Sequence, residues 1–273
     1  ISARIAALEQ LLDARLMERD AGSVRLTAKG SELLVHAREV LRAAEGLVEA
    51  SGKANLTEGV LRLGVTELVV NTWLRDFLRR AKQRFPNISI ELTVDLSVRI
   101  DAELLSRSLD LALQSAPFQW QAGGEVDLGT WPYTWVVAPT LWSVPSGAPV
   151  DELPPLPVLT HARGTRAVDE LERHLGGRRR SANTLVPSSS MSACLHMAVD
   201  GLGVAVLPVA MVRGEVAAGR LVEVGYPWVP EPLSMVARYH ADTAAGFVAR
   251  VAALARRVAG DFRGEDWSEN QES

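Results

Sequence analysis

The side chains in this chain that could do chemistry are hydroxyls, amides and arginines at strand ends and helix starts. Ser188, Ser189 and Ser190 run consecutively where a helical pattern begins. Thr66 and Glu67 follow the apolar run Val60 to Val65, and Ser97 follows the run Ile88 to Val94. Thr160, His161 and Arg163 close the run that begins at Pro157. The first backbone N–H groups of a helix have no partner within it, so such junctions hold polar and anionic groups. Arg163 and Arg166, close to a serine-led helix start, lead to the expectation of a small polar ligand with an anionic group. Each residue also has a plain structural use. Serines cap helices, Thr66 suits a strand-end turn, and His161 suits a packed core. Gln114 either lines a cleft or braces a crossover. Glu67 is open to three readings: a contact with an amine or hydroxyl of a ligand, an ion pair with Arg163, or solvent.

Catalytic signatures are missing. No G-x-S-x-G, H-E-x-x-H or phosphate-loop pattern occurs. His36, His161, His174, His196 and His240 are scattered, and Cys194, the single cysteine, supplies no metal-ligand spacing. Cys194 and His196 lie two apart on one helical pattern and so point to different faces. Gly201 and Gly203 lack the third glycine of a dinucleotide turn. No enzyme, cofactor or metal is therefore expected.

The elements that carry these residues follow from periodicity. Ile1, Ile5, Leu8, Leu11 and Leu12 have helical spacing over residues 1–12. Residues 15–27 read as a hairpin around Asp20-Ala21-Gly22-Ser23, and Thr27 is a candidate N-cap for a helix over about 28–53. On that helix Leu33, Ala37, Val40, Leu41, Ala44 and Leu47 form a heptad-like stripe among charged neighbours, which reads either as a face packed on its own domain or as a dimer seam, the latter favoured by the helix's length and charged other faces. Beyond a short linker the pattern alternates. Strands are expected over 60–65, 88–94, 109–113 and 133–138, with helices over 70–85 and 98–106. A stretch rich in Pro, Gly and Ser at 139–157 suggests a change of lobe. Strands at 157–160, 184–186, 204–207, 221–224 and 233–239 follow, with helices at 165–175, 189–200 and 243–259. This order argues for parallel βαβ units with helices on both faces of a sheet. Trp120, Trp131 and Trp135 lie close together in the sequence before the hinge and read chiefly as core, with an apolar wall of a pocket as the alternative for one of them. Residues 261–273 read as a polar, disordered tail.

Composition sets the outer bounds. A length of 273 residues is more than one core usually needs, and 47% hydrophobic with 23% charged residues is a globular mix. The net charge of -4 neither demands nor excludes nucleic acid, because clustering decides that. One cysteine permits no intramolecular disulfide and fits a reducing cytoplasm. The apolar run Gly201 to Ala210 is too short to cross a bilayer. The chain starts at Ile1 inside an amphipathic pattern without a Met, so its natural beginning is expected upstream.

The opening segment resembles the LysR-type transcription regulators. Ser2-Ala3-Arg4-Ile5, Leu8-Glu9, Leu12, Arg15-Leu16-Met17-Glu18-Arg19 and Leu26-Thr27-Ala28-Lys29-Gly30 carry the resemblance, in register and without a gap. Asp13 stands where the family usually has Gly, and Met17 where it has Phe. Gly59-Val60-Leu61-Arg62-Leu63-Gly64-Val65, Arg84-Phe85-Pro86-Asn87-Ile88, Leu109-Asp110-Leu111-Ala112-Leu113 and Gly201-Leu202-Gly203-Val204-Ala205-Val206-Leu207-Pro208 continue it in order to about Gly260.

The resemblance implies an α/β chain with a winged helix-turn-helix fragment (1–27), a long linker helix for dimerisation (28–57) and a two-lobed periplasmic-binding-protein-like effector domain. Lobe I would comprise 58–138 and 226–260, and lobe II 139–225. Ser2, Ala3 and Arg4 would start the recognition helix, where Arg reads guanine edges or holds phosphate. Arg19, Arg25 and Lys29 would neutralise phosphates around the wing. Thr66, Glu67, Ser97, Gln114, Thr160, His161, Arg163 and Ser188 to Ser190 would face the effector. The implied partners are double-stranded promoter DNA, a small-molecule effector, further copies of the chain as dimer or tetramer, and RNA polymerase; no membrane is implied. A solute-binding protein on the same scaffold would need a signal peptide and no basic wing. An enzyme such as a porphobilinogen-type deaminase would need a cofactor-bearing cysteine in a loop, whereas Cys194 falls inside a helical pattern.

Overall fold

The computed structural model describes residues 2–20, 23–34, 36, 37, 40, 59–176, 183–240 and 246–269. Helix α1 (Ser2–Leu12) leads into the antiparallel hairpin β1 (Met17–Asp20) and β2 (Ser23–Leu26). Asp13 ends α1 with φ of 46°. That left-handed conformation is one Asp tolerates better than most residues, which explains why it can stand in a glycine's place. Thr27 caps the next helix, α2, which is helical at each described position from 28 to 40. Its Oγ1 accepts from Gly30 N at 2.9 Å and donates to Arg15 O at 2.7 Å. Gly30 has to be glycine here, since a Cβ would lie 2.0 Å from Leu16 O. Of the seam residues, Leu33 is half-buried and Ala37 and Val40 are exposed; Leu41, Ala44 and Leu47 lie outside the described residues.

Two five-stranded sheets follow, each the centre of one lobe. Lobe I has the order β4-β3-β5-β12-β6, from β3 (Gly59–Val65), β4 (Ile88–Val94), β5 (Leu111–Ser115), β6 (Gly124–Trp131) and β12 (Leu233–Tyr239). Lobe II has the order β11-β7-β10-β8-β9, from β7 (Tyr133–Val137), β8 (Val158–Thr160), β9 (Leu185–Pro187), β10 (Val204–Pro208) and β11 (Val222–Val224). Both sheets are mixed rather than all parallel. β12 runs antiparallel to β5 and β6, and β7 antiparallel to β10 and β11. Every residue of β10 is buried, as its unbroken apolar run requires of a central strand covered on both faces.

The helices cover these faces. In lobe I they are α3 (Glu67–Asn71), α4 (Leu74–Arg84), α5 (Ser97–Leu105) and α9 (Phe247–Glu269). In lobe II they are α6 (Arg166–Gly176), α7 (Met191–Val199) and α8 (Val209–Ala217). Leu74, Phe77 and Ala81 of α4 are buried at helical spacing against Val251, Ala255 and Val258 of α9 in one core cluster. No described helix is long and apolar enough to cross a membrane.

Several expectations are corrected. The single helix over 70–85 is two: Thr72 Oγ1 bonds Leu68 O at 2.5 Å, and Trp73 turns into the core with 1% exposure. β6 and α8 were not foreseen. The β6 segment mixes Gly with acidic residues, and the apolar residues of α8 are interrupted by Arg213, Gly214 and Glu215. The lobe boundary lies at Pro132, not 139, so β7 belongs to lobe II. A proline cannot donate to a ladder, and there one strand leaves its sheet for the other. The return comes at β12, not 226, because Tyr226 and Trp228 pack on the core of lobe II. Trp131 and Trp135 are core residues of different lobes, and Trp120 packs partly buried in lobe I and stacks on His240. Residues 261–269, expected as disordered tail, continue α9. There Asp261 pairs with Arg80 at 2.6 Å and Phe262 packs on Trp131 with ring centroids 5.9 Å apart.

Candidate functional site

A cavity of about 590 Å³ lies between the lobes. The wall on lobe I is built where strands end and helices begin. Thr66 caps β3, Ser97 opens α5, and the segment 116–119 leaves β5. Ser97 Oγ lies 3.0 Å from Ser115 Oγ and accepts from Ser115 N at 3.1 Å, which fixes the turn. The wall on lobe II comes from Tyr133 at the crossover, His161 after β8, the start of α6 and the Ser188–Ser189 turn. Met191, Leu233 and Met235 add apolar surface. A cleft at the ends of strands between two sheets is where open α/β folds place ligands.

Three of its side chains are buried and unpartnered: Thr66 Oγ1, Tyr133 Oη and His161 Nε2. A buried polar atom without a partner costs about 1–3 kcal/mol, and Trp73 Nε1, Gln114 Oε1, Trp131 Nε1, Trp142 Nε1 and Thr160 Oγ1 are in the same position away from the cavity. Burial pushes the His161 pKa down to about 4, so the ring is neutral near pH 7. The Tyr133 hydroxyl is held protonated, its pKa raised by burial above all; nearby Arg166 pulls it down and Glu170 up.

Charged groups near the cavity are engaged within the chain. Glu67, on lobe I, accepts from Ser190 Oγ at 2.9 Å, from Met191 N, and from Ser192 N at 3.2 Å. It thus caps α7 of lobe II, a role outside the three readings the sequence allowed. Asn71 adds a second bridge, with Nδ2 3.0 Å from Ser192 Oγ. Arg163 is exposed and sits 3.6 Å from Glu172. Arg166 pairs with Glu170 at 3.5 Å and Glu231 at 3.0 Å, and donates to Pro232 O at 2.8 Å. The anionic partner expected from these arginines is therefore already supplied by side chains of the chain itself.

Of the residues singled out in the sequence, Thr66, Glu67, Ser97, His161, Arg163, Ser188 and Ser189 share this cavity. Ser190 is the N-cap of α7 and accepts from Ala193 N at 3.1 Å. Thr160 is fully buried and does not line the cavity; its carbonyl accepts from Cys194 Sγ at 3.3 Å. Gln114 braces rather than lines: its Nε2 donates to Asp101 Oδ1 at 3.1 Å inside lobe I. Tyr133, Asp101 and Asn71 were not anticipated. Only the position of Tyr133 directly after Pro132 hinted at it.

At the other end, Arg4 on α1 and Arg25 on β2 are exposed, while Lys29 pairs with Glu32 at 2.9 Å. Of Ser2, Ala3 and Arg19 only the backbone is described. Glu9 of α1 accepts from Leu16 N at 2.6 Å and Met17 N at 3.1 Å, which ties the helix to the hairpin and lowers its pKa. Among the described residues no group of His, Cys, Asp and Glu is arranged to hold a metal ion.

The LysR substrate binding domain family matches residues 54–259. A "Probable hydrogen peroxide-inducible genes activator" of Mycobacterium avium is 30% identical, over 81% of this chain and 72% of that protein. The HTH-type transcriptional regulator CzcR of Bacillus anthracis is 24% identical over 81% of this chain and 74% of its own. Among solved structures, a full-length OxyR variant from Pseudomonas aeruginosa superposes with a TM-score of 0.66 at 22% identity, covering 94% of this chain and 84% of that one. A peroxide-bound OxyR mutant from Corynebacterium glutamicum gives 0.63 at 21% identity, covering 98% and 86%. At these identities the solved structures speak for the fold alone.

Proposed function

Because this chain belongs to the LysR-type transcription regulators, we propose that its interlobe cavity binds a small effector and that its first thirty residues engage promoter DNA. The chain is a regulator and not an enzyme, in keeping with its relatives. The observation that carries the effector reading is the interlobe cavity itself, whose lining brings together Thr66, Tyr133 and His161, each with a buried polar atom that has no partner.

In this reading α1 is the recognition helix of a winged helix-turn-helix, and the β1–β2 hairpin is its wing. Arg4 faces base edges or phosphate, and Arg25 with Arg19 and Lys29 neutralises backbone phosphates. α2 is the start of a linker helix that pairs two chains, and higher assembly or contact with RNA polymerase builds on that pair. An effector that binds one lobe arrangement better than another shifts the spacing of the two DNA-binding heads.

The peroxide in some relatives' names does not transfer by way of a thiol. Cys194 is fully buried within α7, its Sγ donates to Thr160 O, and burial pushes its pKa up. Peroxide attack requires an accessible thiolate.

Fluorescence anisotropy with DNA upstream of the gene tests the reading. Arg4→Ala and Arg25→Ala should each weaken binding, with Arg25→Ala lowering the slope of log affinity against log salt by about one. A chain that ignores duplex DNA at all salt concentrations refutes it.

A further inference from the structure

We propose that Glu67 determines the ligand selectivity of the cleft: its carboxylate is a tethered occupant of the α7 N-terminus, so the cleft takes an effector whose buried end is uncharged. This inference deepens the effector reading above and rests on it for its consequence, though not for its test.

The N-terminus of α7 offers an outside anion nothing. Ser190 N donates to Ser188 Oγ at 3.1 Å, and Met191 N and Ser192 N both donate to Glu67 Oε2. Ala193 N donates to Ser190 Oγ at 3.1 Å, and Cys194 N to Ser190 O at 3.3 Å. Donors that a helix start would present to a ligand anion are thus consumed by a carboxylate from the opposite lobe. Asp95 places another carboxylate on the lobe I wall, and Arg163 and Arg166 at the rim already have acidic partners.

The lining side chains whose polar atoms lack a partner are different in kind. Thr66 Oγ1, Tyr133 Oη and His161 Nε2 are uncharged hydrogen-bonding atoms, each in a residue more than nine-tenths buried. They complement a hydroxyl, a carbonyl or a carboxamide. A carboxylate or phosphate at the same depth would lose its hydration without meeting an unpaired cation.

The test uses acetate and acetamide, which match in shape and differ in charge, titrated into the full chain against a sodium chloride control. The amide resonances of Met191 and Ser192 report the helix start. In the wild type, acetate leaves both amides where sodium chloride leaves them. Glu67→Ser vacates the seat, and acetate then shifts both amides saturably, with a Kd at least tenfold below any wild-type value; acetamide gains nothing. Glu67→Gln keeps an acceptor in place and continues to exclude acetate. Saturable acetate binding at these amides in the wild type overturns the proposal, and so does a folded Glu67→Ser chain that gains none. The wild-type arm decides alone if Glu67→Ser does not fold. Failure of every compound to enter the cleft would instead sink the effector reading and leave the acetate result standing.

Discussion

Asp101 of α5 and Arg238 of β12 form an ion pair sealed inside lobe I, with side chains 2% and 0% exposed. The guanidinium lies over Phe118, 4.0 Å from its centroid, and 5.0 Å from that of Trp120, and Nε donates to Glu125 at 2.9 Å. Asp101 also accepts from Gln114 Nε2 and from Gln119 N at 2.9 Å. One side of the cleft, residues 116–119, is therefore pinned by a buried charge network. Arg238→Leu should destabilise the chain by about 3–5 kcal/mol, because it strands the carboxylate. Arg238→Leu with Asp101→Leu should cost less than the two single changes summed. Urea unfolding of the four chains closes the cycle, and additive energies would refute the coupling.

The unpartnered hydroxyls predict opposite effects on stability and on binding. Thr66→Val removes a buried orphan at nearly constant volume, and Tyr133→Phe does the same. Each should raise the ligand-free melting temperature, by an amount matching about 1 kcal/mol, and weaken effector affinity by about tenfold. Differential scanning fluorimetry with and without the effector reads both. A lowered ligand-free melting temperature would count against the hydroxyls being unsatisfied.

His161 makes stability depend on pH. Its folded pKa of about 4 lies below its ordinary 6.5, so the unfolded chain takes up the proton first as pH falls. The stability from its neutral burial is complete above about pH 6.5 and is lost between there and pH 4. The slope approaches 1.4 kcal/mol per pH unit, about 3 kcal/mol in all. Denaturation at stepped pH should show this slope in the wild type and a shallower one in His161→Gln. Parallel profiles would show that the ring titrates normally.

Peroxide should act on this chain, if at all, without its cysteine. Cys194→Ala, in a buried site against Ser188 and Thr160, should leave any peroxide effect on DNA binding within twofold of the wild type. Anisotropy before and after peroxide treatment measures it, and a response lost only in Cys194→Ala would reverse the conclusion.

Local signals made much of the framework legible in the sequence. The apolar runs at Ile88–Val94 and Leu233–Tyr239 read as strands of those bounds. Thr27 read as an N-cap because capping is settled within three residues. Thr66, Ser97, His161 and Ser188 are assigned to one cleft by the family resemblance, and they line one cavity. Partnership was not legible. Glu67 meets Ser190 and Met191 across more than a hundred residues, and whether it faced ligand, arginine or helix depended on how the lobes meet. Pro132 carries no local mark of a crossover, which only the placement of β6 and β7 in different sheets reveals. Gln114 and Thr160 carried cleft-like chemistry, but the pleat turned them inward, toward Asp101 and the core. A side chain's type and its backbone pattern are set along the chain, whereas its burial and its hydrogen-bond partner are set by whatever tertiary packing brings against it.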